Sequence, residues 1–375
     1  MEESELSAKL EEEFAKVKRD VKKPNVLIAG QTGAGKSSVI NMIFGNDVAV
    51  VGTGKPVTQK IDVYESEKSD VRIFDSKGYE LGAEADAEFY ESVIGLAKQT
   101  NNPENAIHLI WYCIPCNGAR VTDYDLGALE TFHDSDIPNA VVFTKADLPT
   151  DEEFNALKEA LPAWAKKSCF ETSVRNSDYN HIDELIAWSV EKLPEALKDA
   201  FIKSQKSNLE EKWKRSHSLI MQHTTGAFAV GFTPIPMADA PVLVANEIAL
   251  LARILHLYDL GSLSDTLKTM GLSTVIGPLL TSGGKAAVGA LLKLIPGVGT
   301  VVGGVISGAV GAAVTCAFGE ATSAIACGIS KAQLSGDTEK ANALMGSFGN
   351  QIIALAKTYI SSGKKSAEDY KYEDL

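Results

Sequence analysis

Gly30, Gly35, Lys36 and Ser37 stand at the spacing G-x-x-x-x-G-K-S in the stretch "GQTGAGKSS", between the apolar run "NVLIAG" and a helix-like run that begins at Lys36. Residues of these types in this order suit a grip on nucleotide phosphates. A glycine-rich turn lets the backbone N–H groups of Gln31, Thr32, Gly33, Ala34 and Gly35 curl around a β-phosphate, and the following helix points its positive end at the same group. Lys36 supplies a point charge to the β- and γ-phosphate oxygens. The Ser37 hydroxyl is placed to ligate Mg²⁺, and Ser38 belongs to the same cradle.

Further along, the strand-like run "AVVFTKAD" delivers Thr144, Lys145 and Asp147 at its carboxyl edge. A carboxylate at Asp147 accepts hydrogen bonds from the N1–H and 2-amino group of guanine; adenine offers no such pair of donors there. Lys145 can lay its stem along the base. TKAD alone is a weak signal, and its position after a phosphate loop is what gives it meaning. Between the two lies Asp75-Ser76-Lys77-Gly78, directly after the strand-like "VRIF". Asp75 is placed to hold a magnesium water, and the backbone N–H of Gly78 reaches a γ-phosphate with no Cβ in the way. In "GTGKPVTQ", Thr58 is the residue to close over Mg²⁺ in the triphosphate state, with Thr53 as the competing candidate. In "ETSV", the backbone at Ser173 and Val174 is placed to touch the guanine O6. Lys36, Thr58 and Gly78 are then the catalytic candidates, and the ligands are GTP or GDP with Mg²⁺.

Residues 24–193, with these five blocks in order, resemble a GTPase domain of the Era, septin and immunity-related kind. "TGAGKSSVIN" and "GKPVT" look especially like bacterial Era-type and immunity-related GTPases. The later segments "GFTPIPMADAPVLVANEIALLARI" and "IPGVGTVVGG" are similar to a helical domain found after some bacterial G domains. The resemblance implies a GTP-hydrolysing switch and dimerisation across the nucleotide face. Departures from the family pattern bear on mechanism. Tyr79 stands where Ras-like enzymes orient water with a glutamine, which implies slow intrinsic hydrolysis. Gly33 replaces the asparagine of potassium-activated relatives. Lys77 takes the place of the proline in DxPG, as a substitute cation or as a solvated lysine. Arg120, in "CNGARVTD", is a candidate arginine finger among loop arginines that mostly have no such role.

Placing these residues together requires an α/β domain. The runs "NVLIAG", "KIDVYE", "VRIFDS", "IHLIWYCI", "AVVFTKAD" and "SCFETS" alternate with helix-like stretches near Lys36–Phe44, Ala85–Lys98, Asp123–His133, Glu152–Leu161 and Ile182–Lys192. Such alternation predicts a mostly parallel six-stranded sheet with helices on both faces and the ligand at the carboxyl ends of the strands. Ahead of it, residues 1–23 place Leu6, Leu10, Phe14, Val17 and Val21 on one face of an amphipathic helix that docks on the protein's own helical part. After Pro194 the strand signals stop. Residues 194–360 read as an all-α domain with a charged helix over Glu195–Met221, an apolar Gly- and Ala-rich region and a final helix over Lys331–Tyr359. Residues 361–375 read as a polar tail. Asp239, ahead of a helix-like run, is an N-cap candidate.

The chain has 375 residues, 45% hydrophobic and 23% charged, which suits two globular domains. A net charge of -13 leaves no basic excess for nucleic-acid phosphates, so no nucleic-acid partner is expected. The odd number of cysteines, five, fits a reducing, cytoplasmic compartment, and Cys113 and Cys116 read as strand-end thiols. Leu294 to Gly319 carries no charge and is long enough to cross a hydrocarbon core of about 30 Å. Contact with a membrane through residues 269–319 and a soluble helical bundle are both open on this count, because small-residue helices also pack tightly in water-soluble proteins. Three functions follow: a GTP-hydrolysing switch, a membrane-associated protein whose G domain controls oligomerisation, and a GTPase-like scaffold without turnover.

Overall fold

The computed structural model describes residues 2–45, 55–58, 61–64, 70–76, 106–206, 208–230, 239–270, 275 and 304–362. The chain forms two compact units, Val21–Asn208 and a second composed of Met1–Asp20 with Leu209–Leu375.

The first unit is built on a seven-stranded sheet in the order β2-β3-β4-β1-β5-β6-β7. Its strands are β1 (Asn25–Gly30), β2 (Lys55–Thr58), β3 (Ile61–Tyr64), β4 (Arg72–Ser76), β5 (Leu109–Pro115), β6 (Asn139–Thr144) and β7 (Cys169–Thr172). All six expected strands are present, and "KPVT" adds β2 as an edge strand. β4, β1, β5, β6 and β7 run parallel, while β2 and β3 form an antiparallel hairpin on β4.

Strand side chains alternate between two cores. Leu27, Tyr112, Val141 and Phe143 face one side, with Ala128, Leu129 and Phe132 of α3 (Asp123–His133). Val26, Ile28, Trp111 and Val142 face the other, against Val39, Ile40 and Ile43 of α2 (Lys36–Phe44) and Leu185 and Ile186 of α5 (Ile182–Lys192). Such continuous apolar strands belong to a parallel sheet covered on both sides. Capping boxes start α3 at Thr122 with Asp125, and α4 (Asp151–Ala160) at Thr150 with Glu153. The expected helix at Ala85–Lys98 lies outside the described residues.

The predicted helix Glu195–Met221 is instead two, α6 (Glu195–Ser204) and α7 (Leu209–Val230). α6 belongs to the first unit, where Phe201 packs edge-on against Phe44 and Trp111. The break falls at Gln205, whose backbone is extended and whose side-chain amide hydrogen-bonds the backbone of Asn208.

The second unit is helical, with α1 (Glu3–Asp20), α7, α8 (Asp239–Leu257), α9 (Leu263–Met270), α10 (Gly304–Leu334), α11 (Thr338–Gly346) and α12 (Phe348–Ser362). α1 packs on α8, buries Leu6 and Leu10, and holds Lys268 of α9 through Glu11 at 2.6 Å. α8 begins at Asp239, so the residue expected to precede the helix is its first helical residue. The single final helix expected over Lys331–Tyr359 is in fact the end of α10 followed by α11 and α12. Gly336, at φ 75°, turns the chain, and Asp337 caps α11 by accepting from the Lys340 N–H.

α10 includes the carboxyl part of the uncharged Leu294–Gly319 run, whose residues 294–303 lie outside the described ones. Gly311–Leu334 is long and apolar enough to cross a membrane, yet 83% of its most apolar window is buried inside the unit. A Cβ on Gly319 would sit 2.7 Å from Ile220 Cγ1 and 3.0 Å from Leu250 Cδ2, so glycine is what lets α7 and α8 close on α10 there. Polar groups on α10 are also engaged within the unit. Thr315 Oγ1 donates to Glu247 Oε1 at 2.5 Å, Glu320 meets His217 Nδ1 at 3.3 Å, and Ser323 lies 2.6 Å from Ser216 and 3.3 Å from Tyr258.

Glu247 has one oxygen on Thr315, while Oε2 is buried with no hydrogen-bond partner among the described residues. Burial pushes its carboxyl up to about 8, against a smaller downward pull from Thr315. Between its ordinary value and that raised one, the folded protein holds a proton that the unfolded chain has released. Stability of the helical unit therefore falls as pH rises through this window, by about 1.4 kcal/mol per pH unit. Calorimetric unfolding of the full chain from pH 5 to pH 9 should show this decline, and Glu247→Gln should flatten it and unfold at a higher temperature at alkaline pH. An unchanged slope in Glu247→Gln would rule out the buried acid as its source.

Candidate nucleotide-binding site

The phosphate loop leaves β1 at Gly30 and enters α2 at Lys36. Gly30 lies beside Cys113 of β5 in register, and a Cβ there would come within 2.4 Å of the Cys113 carbonyl oxygen. The loop then turns through Gly33 and Gly35, both in the left-handed region at φ 77° and 89°. Nothing lies within 4 Å of a Cβ built on Gly33, and Thr32, Gly33, Ser37 and Ser38 are exposed. This open face lies at a helix N-terminus, an arrangement that suits an anionic group. Lys36 is buried and lies across the loop, its Nζ donating to the carbonyls of Gly30 at 2.9 Å and Gln31 at 3.2 Å. The ammonium is thus held inside the loop that would receive the phosphates.

The block Thr144 to Asp147 meets the loop directly. Thr144, the last residue of β6, donates from Oγ1 to the Ala34 carbonyl at 2.5 Å, and Lys145 Nζ donates to the Gly33 carbonyl at 3.0 Å. Lys145 has a left-handed backbone at φ 55°, which turns the chain sharply off the strand. At the end of β7, Ser173 donates from Oγ to Asp147 Oδ1 at 2.6 Å and accepts from the Arg175 and Asn176 N–H groups at 3.1 Å each. The serine hydroxyl therefore holds the carboxylate and folds its own loop around itself. The sequence pattern points only to the backbone at Ser173, because a hydroxyl at the end of the neighbouring strand leaves no mark in spacing.

A cavity of about 400 Å³ opens between these pieces, lined by Gly35, Ser38, Lys145, Asp147, Val174 and Arg175. Asn117, in the turn after β5, also lines it and carries no motif that sequence reading could use. Val174 is 69% exposed and Leu148 51%, an apolar rim suited to the edge of a flat base.

Other candidates are placed less closely. Asp75 in β4 pairs in register with Ile28 of β1, which brings it beside the strand that feeds the phosphate loop. Thr58 ends β2 in the hairpin with β3. Thr53, Lys77, Gly78 and Tyr79 lie outside the described residues. Arg120 is exposed in the turn after β5. Cys113 and Cys116 are buried, and burial pushes both thiols up to about 12, which leaves them unreactive at neutral pH. No group of metal-ligating His, Cys, Asp or Glu side chains occurs among the described residues. The residues present suit Mg²⁺ held jointly by phosphates, the Ser37 hydroxyl and an outer carboxylate, since this ion keeps several waters and needs few protein ligands.

The two loop glycines should respond differently to substitution. Gly30→Ala is expected to destabilise the first unit by on the order of 3 kcal/mol in urea unfolding, because the methyl meets backbone. Gly33→Ala should cost only about 1 kcal/mol of stability while strongly weakening phosphate binding, because its methyl occupies the cradle. Equal stability losses for the two would contradict this geometry.

Residues 25–145 match the family model described as 50S ribosome-binding GTPase. Among curated proteins, the chain is similar to the probable GTP-binding protein EngB of Mycoplasmopsis synoviae (strain 53), with 23% identity over 165 residues, 44% of this chain and 87% of that protein. Among solved structures, a probable GTP-binding protein engB aligns at 19% identity and a TM-score of 0.33, covering 45% of this chain and 97% of that one. A bacterial selenocysteine-specific elongation factor, EF-Sec, aligns at 17% identity and a TM-score of 0.31, covering 46% and 28%. With its phosphate loop, parallel sheet and family match, the first unit is a P-loop GTPase domain, whose ligands are GTP, GDP and Mg²⁺ and whose reaction is GTP hydrolysis.

Proposed function

We propose that the protein is a cytosolic, guanine-nucleotide-controlled switch in which the GTPase domain sets the state of the helical unit. The observation that carries this reading is a cavity lined by Lys145 and Asp147, with Ser173 hydrogen-bonded to Asp147 and Lys145 hydrogen-bonded to Gly33 of the loop that Lys36 crosses. Asp147 reads the N1–H and 2-amino group of guanine, its carboxylate oriented by Ser173. Lys145 covers one face of the base. The amides of Gln31 to Gly35 hold the β-phosphate, and Lys36 exchanges its carbonyl partners for phosphate oxygens when the nucleotide enters. Ser37, with Asp75 behind a water and Thr58 in the triphosphate state, holds Mg²⁺. When bound, the ion neutralises charge on the β- and γ-phosphates. Gly78 donates its N–H to the γ-phosphate, and hydrolysis is slow because Tyr79 replaces a water-orienting amide.

The covalent arrangement supports coupling to the second unit. α1 precedes the GTPase domain in sequence yet packs with α8, so the domain is inserted into the helical unit through two short connections, residues 21–24 and 205–208. We assign α10 to the core of a soluble bundle rather than to a membrane, because its buried Thr315, Glu320 and Ser323 meet partners on α7 and α8.

Competition binding tests the assignment. GDP should displace a fluorescent guanine nucleotide while ADP does not, and Asp147→Asn should lower guanine affinity at least about 100-fold, the size of losing a charged pair of hydrogen bonds. Lys36→Ala should abolish turnover. Equal competition by ADP and GDP would overturn the base assignment.

A further inference from the structure

The connection from the GTPase domain to α7 is held in place at two points, on the helix that follows the phosphate loop and on the segment that leads into the Asp75 strand. Lys206 donates its backbone N–H to the Ile43 carbonyl at 3.0 Å, at the far end of α2, the helix that starts at Lys36. The Lys206 side chain covers Gly45, the C-cap of α2, so that a Cβ on Gly45 would lie 3.0 Å from Lys206 Cδ. Just before this, Ser204 Oγ accepts from the Asp70 N–H at 2.8 Å, and Lys203 Nζ pairs with Asp70 Oδ2 at 2.7 Å, both partners being largely buried. Asp70 leads into β4, the strand that carries Asp75. Beyond both contacts, the fully buried Gln205 closes on Asn208 in both directions, accepting from its N–H at 2.8 Å and donating to its carbonyl at 2.9 Å. Leu209, the next residue, begins α7.

We infer that Lys203 to Lys206, closed onto Asn208 by Gln205, are a transduction link, which senses the phosphate loop through α2 and the Asp75 strand through Asp70 and delivers both displacements to α7. The inference rests on the proposed switch function. α2 is a rod of about 13 Å, so a shift imposed at Lys36 by phosphate arrives at Ile43 with little loss. A flexible linker would dissipate it, whereas here the side-chain closure of Gln205 on Asn208 stiffens the last residues before α7. A connector that only fastened α6 would need neither the α2 contact nor a buried amide lock. The aromatic packing of Phe201 on Phe44 and Trp111 already fastens that helix.

Hydrogen exchange of the full chain, loaded with Mg²⁺ and either GDP or a non-hydrolysable GTP analogue, tests the link. In the wild type, amides of α7 should exchange at rates that differ about fivefold or more between the two states. Gln205→Ala should erase that difference while leaving GDP affinity and turnover within about twofold of wild type, since Gln205 does not line the cavity. Ser204→Ala, which loses one hydroxyl, should shrink the difference and serves as the decisive variant if Gln205→Ala does not fold. A difference that persists undiminished in the folded variants, or a wild type that binds and hydrolyses GTP with no change in α7, would overturn the link. Failure of the wild type to bind guanine nucleotide would instead strike the reading of the site itself.

Discussion

The hydrogen bond from Thr144 Oγ1 to the Ala34 carbonyl is the constraint on which the site depends. It joins the end of β6, to which we assign the base, to the loop to which we assign the phosphates. A nucleotide must be gripped at both ends by groups whose separation is fixed, and the Thr144 and Lys145 contacts fix it within one rigid sheet edge. Gly35 is required at the same junction. A Cβ there would stand 3.2 Å from the Thr144 side chain, so the glycine that turns the loop also lets β6 approach it. The buried β1 and β6 supply the stiffness behind both halves.

The second unit meets a different constraint, that of packing a long apolar helix among its neighbours. α10 is composed like a membrane segment, and its surroundings in the bundle answer each of its features. Gly319 admits Ile220 and Leu250 at close range, and the hydroxyls of Thr315 and Ser323 find partners on neighbouring helices. Buried polar groups of this kind favour one helix register over its neighbours, because any slip leaves them unpaired. In the sequence the GTPase domain lies between α1 and α7, so both of its chain connections lead to the helical unit.

Much of the GTPase domain was legible in the sequence because its chemistry uses local patterns. α2, α3 and α5 lie where the apolar periodicity puts them, with Lys36 opening α2, Asp75 in β4 and Asp147 three residues after β6. Less visible were contacts made across the fold. The Ser173 hydroxyl on Asp147, Asn117 at the cavity and the edge strand β2 depend on which loops the topology brings together. Helix lengths in the second half were overestimated for a related reason. Gln205 and Asp337 are compatible with helical periodicity, and it is their side-chain hydrogen bonds to nearby backbone that stop or restart the chain. That α1 belongs with residues 209–362 is a matter of tertiary packing, to which the apolar stripe of Leu6 and Leu10 gives only the face.

A crystal structure of the full chain with GDP and Mg²⁺ is the most direct measurement of the central claim. The account predicts the β-phosphate over the amides of residues 31–35, the Lys36 ammonium turned from the Gly30 carbonyl to phosphate oxygen, and the Asp147 carboxylate about 3 Å from the guanine N1 and 2-amino nitrogens. A nucleotide found elsewhere, or one whose base lies away from Asp147 while its phosphates fill the loop, would contradict it.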